Sequence, residues 1–168
     1  MASTATRRQL FWTDLEEVIA DVDRLASSGH KSSGKWNLTQ CCGHLADWMT
    51  FPLEGFPKPP WPIRLLLIIL KPVIGRRQLR KMLRSRAMPK GIQTSPETVY
   101  LSNREESEEI ARLKRAIAKL QASDGPYHSS PLFGDMSRED LFQLQVIHAA
   151  HHLSFLIPMD SQGTEVTL

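Results

Sequence analysis

The sequence predicts an all-α fold, and three observations predict it. Apolar residues recur at three- and four-residue spacing through four long segments, the first carrying Leu10, Phe11, Leu15, Val18, Ile19, Val22 and Leu25. Helix-start residues stand at the head of two of them, Asn37 with Gln40 three residues on and Ser137 with Asp140. Proline- and glycine-bearing stretches separate the segments, with five prolines between Pro52 and Pro62. A chain of 168 residues, 41% hydrophobic and 23% charged, suits one domain over residues 1–168, with its core spanning residues 8–158 and a tail at 159–168.

The first helix is expected over residues 7–27, followed by a loop at 28–34. Asn37 and Gln40 then open the second helix, with Trp36 placed to staple its start. Pro52 should stop it, because proline lacks an N–H and its ring crowds the carbonyl four residues back. Beyond the proline-rich connector, Ile63-Arg64-Leu65-Leu66-Leu67-Ile68-Ile69-Leu70 is apolar nearly all round. It leads into Arg76, Arg77, Arg80, Lys81, Arg84, Arg86 and Lys90, a run without a single acid. This piece reads as a helical insertion between the second and third long helices, suited to cap a pocket mouth, meet a second subunit or lie on a membrane. The apolar run does not divide into a polar and an apolar face, which favours a buried or subunit-facing role over lipid. The basic run is either a solvated helix face or an attractor of anions.

Ser102 or Asn103 should cap the third long helix, with Glu105 and Glu106 in the first turn, where the dipole favours them. Ile110, Leu113, Ile117 and Leu120 form its core stripe, while Arg112, Lys114, Arg115 and Lys119 face outward. The last helix runs from Ser137 to Ile157. Three of the chain's six histidines lie in it, at His148, His151 and His152.

With His148 set at zero and about 100° per residue, His152 falls near 40°, Leu141 near 20° and Leu144 near −40°. Two imidazoles therefore sit inside an apolar stripe, where an unpaired polar group costs roughly 1–3 kcal/mol. Their i, i+4 spacing brings two ring nitrogens within reach of one metal ion. His44, on the apolar stripe of the second helix with Cys41 and Trp48, is the best third ligand. His151 is the reserve, His128 in the loop before the last helix is a substrate-contacting or surface group, and Lys90 could reach an anionic substrate. Asp47, one turn beyond His44, is either a helper that orients water, substrate or a bound imidazole, or an ordinary carboxylate beside a Lys or Arg.

At Trp36-Asn37-Leu38, His44-Leu45-Ala46-Asp47-Trp48-Met49, Met88-Pro89-Lys90-Gly91 and Pro131-Leu132-Phe133-Gly134-Asp135-Met136-Ser137, running into His148 to His152, the chain resembles the DinB/YfiT-like metalloenzyme superfamily. More narrowly it is similar to a bacterial branch described only as a domain of unknown function. The resemblance implies a four-helix bundle with a divalent metal on a His triad, one ligand early and an H-x-x-x-H pair on the last helix. It also implies that the metal activates a thiol or water for transfer, isomerisation or hydrolysis of a small molecule. The chain departs from many relatives after its last histidine, with Leu153-Ser154-Phe155 where they carry Arg-Gly-Gln.

His44, His148 and His152 are thus the expected metal ligands and Asp47 the expected helper. Zinc or nickel is favoured, and iron and manganese also suit histidine donors. The competing reading is a non-catalytic binding or stress-linked bundle that meets anionic surfaces through residues 76–90. A homodimer is expected through residues 63–74 or the small Ala149 and Ala150, and no nucleic-acid partner is expected. Cys41 and Cys42 are adjacent and point about 100° apart on a helix, which does not suit a disulfide and reads as a reduced, cytoplasmic protein. Cys41 shares the stripe of His44 and is a minor ligand candidate. No signal peptide or transmembrane segment is expected.

Overall fold

A computed structural model of the chain describes residues 7–58, 61–62, 74–89 and 104–159. These residues are mostly helical, with five helices and one short two-stranded ladder among them. The apolar run at 63–70, Lys90 and the expected caps Ser102 and Asn103 lie outside the described residues.

Helix α1, Leu15–Ser28, starts eight residues later than the periodicity predicts. Asp14 sets the start by closing a capping box: its side chain accepts from the Glu17 amide at 3.0 Å, and the Glu17 carboxylate accepts from the Asp14 and Thr13 amides. Such a cap satisfies amide groups that a helix otherwise leaves orphaned. Residues 7–13 run outside the helix, and Arg8 ties it to the far end of the chain. The Arg8 guanidinium donates to both oxygens of buried Asp21, at 2.7 and 2.6 Å, and to the Leu153 carbonyl at 2.9 Å.

Residues 28–34, expected as a loop, contain strand β1, His30–Ser32. It pairs antiparallel with β2, Leu156–Pro158, in the register His30 with Pro158, Lys31 with Ile157 and Ser32 with Leu156. The last helix consequently ends earlier than expected. The apolar residues after Leu153 that extended the helical pattern belong to a turn and a strand, where Leu156 and Ile157 are buried.

Helix α2, Leu38–Glu54, opens as predicted on the Asn37 and Gln40 capping box, with bonds of 2.9 and 3.1 Å. It does not stop at Pro52, which lies inside its last turn. Proline at 52 cannot donate to the Trp48 carbonyl, and the Gln145 side-chain amide donates to it instead at 2.7 Å. Helix α3, Arg76–Ser85, seats Leu79 and Met82 against Phe133 and Leu144. Helix α4, Glu106–Gln121, begins after Glu105 without a side-chain cap, buries Leu113, Ile117 and Leu120, and packs along α2. Of its cations, Lys114 and Lys119 reach exposed acids, Asp23 and Glu54. Arg112 turns back toward α2 rather than outward.

Helix α5, Arg138–Leu153, starts at Ser137, whose hydroxyl accepts from the Asp140 amide at 3.1 Å. Its far end is closed by the N-terminal arginines. Arg7 donates to the Ser154 hydroxyl, and the Arg8 amide donates to the Ser154 carbonyl at 2.9 Å. Cations are favoured there because the last carbonyls of a helix carry its negative dipole end.

Candidate metal centre

The capped start of α2 places His44 on its second turn, and α5 delivers His148 and His152 one turn apart. The three rings meet. His44 Nε2 lies 3.1 Å from His148 Nε2, and His152 Nε2 lies 3.0 Å from the same atom. One ligand nitrogen from each falls within 4.8 Å of the others.

Protons alone serve this arrangement poorly. A neutral imidazole nitrogen carries either one N–H or one lone pair. His148 Nε2 faces two neighbours, which must compete for whichever it offers. A cation would accept all three lone pairs at once. Two nitrogens bound to one tetrahedral ion at 2.0–2.1 Å lie about 3.4 Å apart, so the observed separations need to open by only a few tenths of an ångström.

Burial keeps the lone pairs available. His44 is 2% and His148 7% exposed, and His152 is partly exposed, so the cluster is enclosed with one edge toward solvent. Desolvation, followed by the neighbouring histidines, holds His148 well below the ordinary imidazole pKa. His152 is lowered well below it in the same way, by burial first and then by His44, His151 and Arg7. Both are neutral at physiological pH.

Aromatic rings wall the cluster. Trp36 stacks on His152 at 5.1 Å with its plane tilted by 9°, and meets His44 edge-on at 5.0 Å. Trp48 stands edge-on to His148 at 5.2 Å and continues into Phe51 and Phe56. Its indole N–H is buried without a hydrogen-bond partner.

The remaining candidates go elsewhere. Asp47 pairs with Arg112 of α4, whose other nitrogen donates to the Gly43 carbonyl at 3.3 Å and to buried Glu109 at 3.1 Å. The carboxylate therefore braces the turn that carries His44 through Arg112. The His151 ring nitrogen Nδ1 lies 3.4 Å from Arg7, and burial followed by Arg7 lowers its pKa to about 4. His128 is exposed beside Gly55, and His30 lies on β1 against the Leu25 carbonyl. Cys41 and Cys42 are free and buried. Burial pushes the Cys41 thiol up to about 12, and Cys41 is not in the group whose ligand atoms converge, which among the described residues is His44, His148 and His152.

Sequence reasoning missed Gln145 and Arg112. Gln145 could have been found, since a polar residue on an apolar stripe and a proline four residues after Trp48 are complementary needs. Nothing in the pattern distinguished Arg112 from its exposed neighbours.

Among the described residues, no helix is long and apolar enough to cross a membrane. No curated protein and no solved structure matches the chain. A family model described as "Protein of unknown function (DUF1569)" matches residues 4–159. With nearly all of its length covered by that model, the chain belongs to the DUF1569 family.

Proposed function

We propose that His44, His148 and His152 hold one divalent cation and that the protein is a metal-dependent enzyme of the DinB/YfiT-like type. On this reading α1, α2, α4 and α5 are the four helices of its bundle and the rest of the chain belongs to the same domain. The observation that carries the reading is the convergence of three Nε2 atoms on one point, two of them in imidazoles held neutral by burial. Three protein ligands leave a coordination position open, as catalytic sites do and structural sites do not. Zinc or nickel suits the donors best, with iron and manganese as the other fits.

When bound, the cation supplies Lewis acidity and lowers the pKa of a coordinated thiol or water, which suits transfer, isomerisation or hydrolysis of a small molecule. The chain's own residues prepare that chemistry. Trp36 fixes the ring plane of His152, Trp48 with Phe51 and Phe56 excludes water beside His148, and Gln145 locks α5 to α2 one turn from His44 and His148. Asp47 is a positioning residue on this reading, acting through Arg112 on the turn before His44. The substrate is a small molecule that enters along the His152 edge, and a thiol is the class that a histidine-bound soft cation best accommodates. A cytoplasmic homodimer completes the reading.

Elemental analysis of purified protein tests it. One equivalent of a divalent first-row metal is expected, retained through gel filtration at neutral pH. His44→Ala and His152→Ala should each remove it while circular dichroism stays helical. A native protein that binds no such metal under direct titration would overturn the proposal. The alternative of hydrogen-bonded core histidines predicts that His44→Ala lowers stability with metal content unaffected.

A further inference from the structure

Helix α3 crowds like charges onto one face. Arg76, Arg80 and Arg84 follow at i, i+4 and i+8, with Arg77 and Lys81 beside them. Like charges at that spacing repel. All five are exposed, and among the described residues none of them joins an ion pair. With Leu79 at zero, the five occupy an arc from roughly 60° to 200°, turned away from the Leu79 and Met82 seat. Arg86 stands apart, donating to the Trp12 carbonyl at 2.7 Å.

A face of like charges that joins no ion pair among the described residues marks a surface kept for a ligand. Its charge and its length of roughly 15 Å require an extended polyanion. We infer that the outward face of α3 docks the protein on an anionic phospholipid surface. One apolar side chain decides for lipid over a polynucleotide. Ile74 is 54% exposed. On the same wheel Ile74 falls roughly 20° from Lys81. A bilayer receives the cations among its headgroup phosphates and the apolar side chain just beneath them. A phosphodiester backbone gives that side chain no apolar partner.

Cosedimentation of the full chain with vesicles tests this. Binding is expected to phosphatidylcholine vesicles that contain about 30% phosphatidylserine, and not to phosphatidylcholine alone. It should be present at about 0.05 M salt and lost at about 0.5 M. The triple variant Arg77→Ser, Lys81→Ser, Arg84→Ser should bind roughly 100-fold more weakly, about five-fold per cation. Ile74→Ser should weaken vesicle binding several-fold and leave any polynucleotide binding unchanged. Should the triple variant unfold, Lys81→Gln and Arg84→Gln taken singly read the same loss at about five-fold each. Absence of binding at low salt, undiminished binding of the neutralised variants, or displacement from vesicles by a polynucleotide with Ile74→Ser without effect would each overturn the inference.

Discussion

Gln145 shows how one side chain can decide the register of two helices. Its amide donates to the carbonyl that Pro52 leaves without a helical partner, three residues before the proposed ligand His148 and beside the turn of His44. Replacing it by Leu keeps the volume but strands a buried carbonyl, at a cost of roughly 1–3 kcal/mol. Urea unfolding measures this, and on the proposed reading metal affinity should fall in the same variant because the two histidine-bearing helices lose their cross-tie. Arg8 is a more severe case. Both it and Asp21 are buried, so Arg8→Met leaves an uncompensated carboxylate in the core and should cost roughly 3–5 kcal/mol. Asp21→Asn in the same background should recover part of that loss. The role of Arg8 was not legible in the sequence, where it read as part of the first helix. Its partners are Asp21, within α1, and the Leu153 carbonyl, 145 positions away, and periodicity carries no information on such pairings.

At the level of elements, legibility followed locality. The start of α2 could be read because Asn37 and Gln40 lie three residues apart and satisfy each other's backbone, so Asn37→Ala should lower stability by about 1 kcal/mol, seen as a lower thermal midpoint. The start of α1 was equally local, but the apolar periodicity of Leu10 and Phe11 suggested a longer helix. The capping box at Asp14 overrides it, and Phe11 is left exposed. The two strands were not legible. Each has three residues, and Leu156 and Ile157 continue the apolar spacing of α5, so only pairing across the fold distinguishes strand from helix there. The three histidines were legible because polar rings on apolar stripes are conspicuous. That Asp47 stands beside a Lys or Arg was one of its two readings, but a helix wheel gives a direction without naming Arg112 as the cation opposite.

The whole molecule should respond to pH through the buried imidazoles. His148, His152 and His151 all have folded values below the ordinary 6.5, His151 at about 4. Above pH 6.5 they are neutral in both folded and unfolded chains and contribute no slope. As the pH falls below 6.5, the unfolded chain takes up protons that the fold refuses, so stability is lost progressively, and the His151 share levels off below about 4. Thermal midpoints of metal-free protein between pH 8 and pH 4 should therefore be flat and then descend. Saturating metal should raise the midpoint at neutral pH, by about 2.7 kcal/mol of added stability at a free concentration a hundred times the dissociation constant. That gain should vanish on acidification as protons displace the cation.

His44 and His148 are separated by 104 positions, whereas His148 and His152 are a single turn apart. A growing polypeptide thus exposes the early imidazole of the triad long before the paired ones exist. An ion captured by the late pair would then fasten the two distant stretches into a closed ring. Loading during synthesis should consequently act as a clasp on the order of assembly, with refolding faster when the ion is already in solution than when it is added afterwards.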